Sequence, residues 1–155
     1  RPTPPTGFDR QSGEPSTSRD LVEEFIDWAI VNFDADLSRV FVGGFSQGGK
    51  MTYSLISTIP QKLAGAVIMS GGSMPFEEFV GAPSGKAKGL PVLEVHGTRD
   101  NVLPITTGRE LRARLEEMKV DLNYEEFDMA HEVNMQSLGK VRNWLTAQLD
   151  AKAAA

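Results

Sequence analysis

The sequence predicts an α/β fold with a parallel sheet flanked by helices, and two observations lead to that prediction. Short apolar runs typical of buried strands alternate along the chain with amphipathic segments that have helical spacing. Such alternation indicates parallel strands joined by right-handed crossovers. In sheets of this kind the functional residues gather at the carboxyl ends of the strands.

The chain divides into a linker, one domain and a short tail. Residues 1–17 contain many proline and glycine residues without periodicity, so they are predicted as a loop or linker. Residues 18–150 form the α/β domain, and residues 151–155 are predicted as a frayed tail. The first helix of the domain begins at Ser18, where Thr17 or Ser18 can cap it.

The other elements follow from apolar runs bounded by breakers and from apolar residues at helical spacing. The predicted strands lie at 40–42, 66–69 and 92–95, with a polar edge strand that carries Val120, Leu122 and Tyr124. The predicted helices are one over 47–58 ended by Pro60, one begun by a capping box of Thr107 and Glu110, and a last one that carries Leu138, Val141, Leu145 and Leu149.

Composition and charge exclude several classes of function. The chain has 155 residues, a formal net charge of -5 and no cysteine, so it fits one domain and cannot use disulfides or thiolate chemistry. The acidic balance argues against a nucleic-acid partner, and no apolar run is long enough to span a membrane. We expect a cytoplasmic protein in which serine or threonine performs any covalent step.

The segment Gly44-Phe45-Ser46-Gln47-Gly48 joins the first strand to the next helix and is typical of a nucleophile elbow. A strained turn there lifts the serine hydroxyl clear of the sheet, and the glycines let neighbouring backbone pass. The amide of Gln47 then faces an oxyanion at the helix N-terminus. Ser46 is therefore the candidate nucleophile and Gln47 the candidate oxyanion donor, with a plain connecting turn as the alternative.

A serine nucleophile needs a base to accept its proton and an acid to orient that base. Of the two histidines, His131 is favoured as the base because the elbow fold uses the chain order serine, acid, histidine. His96, at the end of the third strand, is better placed to support the acid loop. Asp100 follows the third strand and is favoured as the acid over Asp128. Metal ligation needs several convergent histidines or carboxylates, so no metal site is predicted.

The long loop over 73–89 carries apolar side chains that exposure to solvent would not favour. We predict that it forms a wall or partial lid of an apolar pocket, and docking of these side chains on the core is the alternative. The residues predicted to bind substrate are Phe45, Met74, Phe76, Val102 and Leu103.

Four ordered blocks of the sequence resemble the carboxylesterase and acyl-protein thioesterase family of α/β-hydrolases. The blocks are Gly43 to Gly49, Gln61 to Gly65, His96 to Pro104, and Ala130 to Glu132. The resemblance extends from about Asp20 to Leu149 and implies the α/β-hydrolase fold. It places the family triad on Ser46, Asp100 and His131, with the Gln47 amide as one oxyanion donor.

The resemblance implies a serine hydrolase that cleaves carboxylic ester or thioester bonds of acyl substrates through an acyl-enzyme, without a cofactor. Members of the family are often dimeric, so a homodimer is expected as one form of assembly. The alternative is a non-catalytic pseudo-hydrolase or half-domain that binds an acyl ligand or a partner protein through an open sheet edge.

The sequence departs from the family before Asp20, where members have further strands and a His-Gly loop that supplies another oxyanion N–H. We expect these N-terminal strands and this oxyanion loop to be missing from the chain. The elbow strand would then expose unpaired backbone at its edge. A separate or preceding segment, or a second copy of the chain, is expected to cover that edge.

Overall fold

The computed structural model describes residues 4–5, 17–73 and 85–154. Within these ranges a four-stranded sheet has helices packed on both of its faces. The elements in chain order are α1 (Ser18–Phe33), a 3-10 helix (Leu37–Arg39), β1 (Phe41–Phe45), α2 (Gln47–Thr58), a second 3-10 helix (Pro60–Lys62), β2 (Gly65–Met69), β3 (Pro91–Gly97), α3 (Ile105–Glu117), β4 (Asp121–Phe127) and α4 (Met135–Ala153).

The described strands are all parallel, and their order in the sheet is their order along the chain, β1-β2-β3-β4. Parallel strands place their carboxyl ends at one edge of the sheet, which we call the carboxyl rim. The loops that follow β1, β3 and β4 therefore all open at this rim. This architecture confirms the predicted α/β fold with a parallel sheet flanked by helices.

Two apolar cores enclose the sheet. The larger core lies beneath α1, α2 and α3 and includes Ile26, Tyr53, Leu55, Ile56, Ile68, Val92, Leu111 and Leu115. The smaller core lies beneath α4 and includes Val67, Leu93, Val95, Val141 and Trp144. Consecutive residues of β2 and β3 thus alternate between the two cores, as the two-residue period of a strand requires.

β1 and α4 both extend beyond their predicted ends. β1 continues past Val42 to Phe45 because the Gly43-Gly44 pair extends the ladder with β2 rather than turning. α4 continues to Ala153, so the start of the predicted frayed tail is helical. Alanine is the strongest helix former, which favours that extension.

The predicted capping box of Thr107 and Glu110 is wrong. α3 begins at Ile105, directly after Pro104, and the Thr107 N–H donates to the Pro104 carbonyl at 2.8 Å within the first turn. Proline has a fixed φ and no N–H to leave unpaired, so it sets the start of the helix.

The buried stripe of α4 also differs from the prediction. It runs through Ser137, Val141 and Trp144, and this rotation of the helix leaves Leu138 49% exposed. None of the described helices, α4 included, has both the length and the apolar character that a membrane crossing requires.

An apolar groove lies between α1 and β1 and has a cavity volume of about 240 Å³. Its lining residues are Val22, Phe25, Ile26, Ala29, Ile30, Ala35, Val40, Phe41 and Val42. Phe25 is 52% exposed there, although its side chain is large and apolar. Among the described residues, β1 forms its ladder with β2 alone.

Glu94 is a carboxyl group buried in β3. It is 0% exposed, and neither carboxyl oxygen has a hydrogen-bond partner among the described residues. Burial raises the pKa of Glu94 to about 9, against the opposing charge of Arg112 and with smaller contributions from Glu116 and Glu126. The carboxyl is therefore neutral near neutral pH in the folded chain.

Glu94→Gln should make the free energy of unfolding less dependent on pH between about pH 5 and about pH 8. Above the ordinary glutamate pKa of 4.5, the unfolded chain loses this proton while the folded chain keeps it. The contribution of Glu94 to wild-type stability should therefore fall as pH rises, by roughly 1.4 kcal/mol per pH unit. Urea unfolding across this range measures the effect.

Glu117→Gln, at an exposed position near the end of α3, is the matched control and should follow the wild-type dependence on pH. Parallel curves for wild type and Glu94→Gln would contradict a neutral carboxyl at this position.

Candidate active site

Ser46 occupies the tight turn between β1 and α2, at the carboxyl rim. Its φ of 55° and ψ of -114° lie outside the regions that L-residues favour, so the backbone is strained there. The Ser46 N–H donates to the Met69 carbonyl of β2 at 2.9 Å. The turn therefore has the geometry expected of an elbow, and the neighbouring strand holds it in place.

Glycines allow α2 to begin directly against the sheet. A Cβ atom on Gly44 would lie 2.2 Å from the carbonyl carbon of Gly48. A Cβ atom on Gly49 would lie 3.0 Å from the Cα of Gly71, in the loop after β2. The first turn of α2 therefore packs backbone against backbone, and this packing fixes the direction in which Ser46 points.

Asp100 lies in the loop after β3 and is 6% exposed. Its Oδ1 accepts the backbone N–H groups of Val102 at 2.9 Å and Leu103 at 2.8 Å, while Oδ2 lies 2.7 Å from His131 Nδ1. Burial by itself raises the pKa of Asp100, but the hydrogen bonds from His131, Leu103 and Val102 outweigh burial and lower the pKa below its usual value. The carboxylate is therefore ionised at neutral pH and held in one orientation.

His131 connects the other two candidate residues. Because an ionised carboxylate can only accept hydrogen bonds, Nδ1 carries the proton that is donated to Asp100. In the neutral ring Nε2 then accepts from the Ser46 hydroxyl, with Nε2 and Oγ 2.9 Å apart. The ring centroids of His131 and Phe45 are 4.8 Å apart. Ser46, His131 and Asp100 thus form one continuous hydrogen-bonded chain.

The loop that carries His131 is held against the end of β3. A Cβ atom on Gly97 would lie 2.3 Å from the Met129 carbonyl oxygen and 2.5 Å from that of Ala130. The Arg99 N–H also donates to the Met129 carbonyl at 3.1 Å. Gly97 is not among the site residues predicted from the sequence, although a glycine at a strand end can mark a close backbone approach.

Neither of the less favoured candidates, His96 and Asp128, belongs to this hydrogen-bonded chain. His96 is fully buried beneath the Asp100 loop, with Nε2 3.5 Å from Asp100 Oδ2. The Asp128 side chain is 83% exposed and accepts a hydrogen bond from Arg99 Nε at 2.5 Å, so Asp100 rather than Asp128 contacts His131. The described residues contain no group of three or more His, Asp or Glu that could hold a metal ion.

Gln47 is the first residue of α2. The first N–H groups of a helix have no acceptor within the helix and lie at the positive end of its dipole. The Gln47 amide directly follows Ser46 at this end. The position suits an anion that forms beside the serine oxygen.

Three of the five residues predicted to bind substrate are described. Phe45 is 36% exposed and Val102 is 62% exposed, while Leu103 is partly buried. The backbone N–H groups of Val102 and Leu103 donate to the Asp100 carboxylate, a role that was not predicted from the sequence. Met74 and Phe76 lie outside the described residues.

Solved structures identify the fold. A crystal structure of the Bacillus cereus carboxylesterase matches with a TM-score of 0.74 at 20% identity, over 91% of this chain and 68% of that one. A SOBER1 variant from Arabidopsis thaliana matches with a TM-score of 0.70 at 25% identity, over 88% and 69%. The protein therefore has the α/β-hydrolase fold.

The chain matches the model of the phospholipase/carboxylesterase family over residues 8–149, and it belongs to that family. The match confirms the family resemblance and begins earlier than Asp20. Acyl-protein thioesterase 1 of Neurospora crassa is 33% identical over 134 residues, which cover 84% of this chain and 52% of that protein. The chain spans about half the length of the curated relatives it matches.

Gly44→Ala should lower the free energy of unfolding by about 1–3 kcal/mol, because the added methyl group would collide with the Gly48 backbone. Gly48→Ala is the matched control, since a Cβ atom there meets nothing within 4 Å. Its stability should be unchanged or up to about 1 kcal/mol higher, because alanine is a better helix former than glycine.

Urea unfolding of the two variants makes the comparison. Equal stabilities would contradict the close approach of α2 to β1.

Proposed function

We propose that this chain carries the nucleophile, base and acid of a serine hydrolase that cleaves carboxylic ester or thioester bonds of acyl substrates. The hydrogen-bonded chain Ser46-His131-Asp100 is the observation that supports this proposal most strongly. Its three residues come from three loops that follow parallel strands and open at the same carboxyl rim. Relatives named acyl-protein thioesterase and carboxylesterase point to the same class of bond.

In the acylation step, Ser46 Oγ attacks the substrate carbonyl carbon while its proton passes to His131 Nε2. The C–O bond that forms gives a tetrahedral intermediate with a negative oxygen. When the intermediate collapses, the bond to the leaving alcohol or thiol breaks and His131 returns the proton to that group. The acyl group remains on Ser46 as an ester.

In the deacylation step, His131 Nε2 takes a proton from water, and the resulting oxygen nucleophile attacks the acyl carbon. Collapse of the second intermediate breaks the bond to Ser46 Oγ, which recovers its proton from the imidazolium. The carboxylic acid leaves. In both steps the ionised Asp100 stabilises the imidazolium and keeps its Nε2 directed at the reacting oxygen.

The Gln47 N–H at the start of α2 is the proposed donor to the oxyanion in both steps. We assign the other oxyanion N–H that the family resemblance implies to a separate or preceding segment, or to a second copy of the chain. Phe45, Val102 and Leu103, with Met74 and Phe76, remain the proposed substrate-binding residues. Phe45 is supported by its ring contact with His131.

Binding without catalysis is the second candidate function. The groove between α1 and β1 is apolar and has partly exposed aromatic walls, which favours an acyl ligand or an apolar segment of a partner protein as its occupant. This function would not need a reactive serine. Covalent labelling of Ser46 therefore distinguishes the two candidates.

Ser46→Ala should abolish both the hydrolysis of a p-nitrophenyl acyl ester and labelling by a fluorophosphonate probe, because it removes the attacking oxygen. Wild type should show both reactions. Labelling that persists in Ser46→Ala would remove Ser46 from the mechanism, whereas a folded wild type without either reaction would favour the binding role.

Asp100→Asn should reduce kcat by roughly three to four orders of magnitude, since the neutral amide no longer stabilises the imidazolium or fixes its tautomer. Asp128→Asn is the matched control, because this exposed carboxylate lies in the same chain segment as His131 but pairs with Arg99. Its kcat should stay near wild type. Similar kcat values for the two variants would contradict the assignment of Asp100.

A further inference from the structure

His96 is a buried imidazole outside the Ser46-His131-Asp100 chain. It is 0% exposed and lies on the face of β3 that packs under α3. Its Nε2 is 2.7 Å from the Leu103 carbonyl oxygen and 3.5 Å from Asp100 Oδ2. Its Nδ1 is buried without a hydrogen-bond partner among the described residues.

These contacts define the protonation of the ring. A carbonyl oxygen can only accept a hydrogen bond, so His96 Nε2 must carry the proton that it donates to the Leu103 carbonyl. Asp100 Oδ2 is a second acceptor at the longer distance of 3.5 Å. A second proton on Nδ1 would leave a charged N–H group buried without a partner, which is costly. The geometry therefore favours the neutral ring with its proton on Nε2.

Leu103 links this ring to the acid. Its carbonyl oxygen accepts from His96, and its N–H donates to Asp100 Oδ1 at 2.8 Å. Both backbone polar groups of Leu103, the carbonyl and the N–H, are thus hydrogen-bonded at this site. If the Asp100 side chain rotated away from His131, Oδ1 would lose the Leu103 N–H unless Leu103 moved with it. A movement of Leu103 would break its hydrogen bond to His96.

α3 packs against the Nδ1 side of the His96 ring. A Cβ atom on Gly108 would lie 2.7 Å from His96 Nδ1 and 2.8 Å from its Cγ. The α3 backbone therefore lies in direct contact with the ring, and a side chain at position 108 would have to displace it. The close packing leaves the ring little room to turn away from Leu103.

We propose that His96 is a positioning residue that fixes the Asp100 carboxylate for catalysis by binding the Leu103 carbonyl. The inference rests on the proposed hydrolase function, in which Asp100 orients His131. His96 does not touch the reacting atoms. Its loss should therefore reduce kcat while KM for a small ester stays close to wild type.

Two variants of His96 test whether its Nε2–H donor to the Leu103 carbonyl is needed. His96→Leu removes the N–H at similar size, and it should lower kcat on the order of tenfold to a hundredfold, as expected when a catalytic group is slightly misplaced. His96→Gln can place an amide N–H near the original Nε2 and should recover most of that loss. A folded His96→Leu with wild-type kcat, or a His96→Gln that loses as much as His96→Leu, would overturn the proposal.

Gly108→Ala tests the same contact without changing any polar group. Its methyl group should displace the His96 ring and lower kcat with little change in KM. Gly139→Ala in α4 is the matched control, because a Cβ atom there meets nothing within 4 Å, and its kcat should equal that of wild type. Equal kcat values for the two alanine variants would contradict the role of the ring position.

A spectroscopic measurement separates this proposal from the proposed function. The proton between His131 Nδ1 and Asp100 should give a far-downfield proton resonance in wild type that disappears in Asp100→Asn. It should broaden or vanish in His96→Leu and persist in His96→Gln, whether or not the chain turns over an ester. An unchanged resonance in His96→Leu overturns the positioning role, whereas absence of ester turnover in wild type counts against the hydrolase function alone.

Discussion

The site depends on how each parallel strand is tied to the next at the carboxyl rim. The first residue after β1, Ser46, donates its N–H to the Met69 carbonyl of β2, and Ser70, the first residue after β2, donates to Val95 of β3, each at 2.9 Å. Thr98 continues this series from β3 to β4, donating to the Phe127 carbonyl at 2.8 Å. The hydrogen-bond ladder therefore runs one residue beyond the strands and aligns the loops that carry the three candidate catalytic side chains.

The carboxyl rim contains strained backbone, and it has glycines where one backbone segment lies directly against another. Ser46 and Ser70 both have positive φ values, 55° and 45°, which cost energy for non-glycine residues and persist only when surrounding packing imposes them. Gly44 and Gly97 sit where any Cβ atom would meet backbone at 2.3 Å or less. The Ser46 turn and the loop that carries His131 are thus positioned by contacts between backbones. Such contacts leave little freedom to the candidate catalytic side chains, as the proposed hydrolase function requires of a preorganised site.

Local sequence patterns predicted most of this architecture, because apolar runs indicate buried strands and helix faces, whereas glycine and proline indicate turns. Motif order, and the rule that parallel strands end at one rim, predicted which three candidate catalytic side chains should lie close together. Contacts between distant residues were harder to predict. The Gly43-Gly44 pair has the composition of a turn, but its pairing with β2 keeps it in the strand. α3 begins directly after Pro104, although the sequence has a capping motif further on, at Thr107. The amide donors of Asp100 and the contact of Gly108 with His96 depend on packing that no local pattern encodes.

In the proposed mechanism Ser46 forms a covalent ester with the acyl group of its substrate. Mass spectrometry of the chain, quenched in acid during turnover of a slowly hydrolysed acyl ester, detects this ester. We expect a mass increase equal to the acyl group, located by peptide mapping on the peptide that contains Ser46. Turnover without any adduct at this peptide, or an adduct on a different residue, would contradict it.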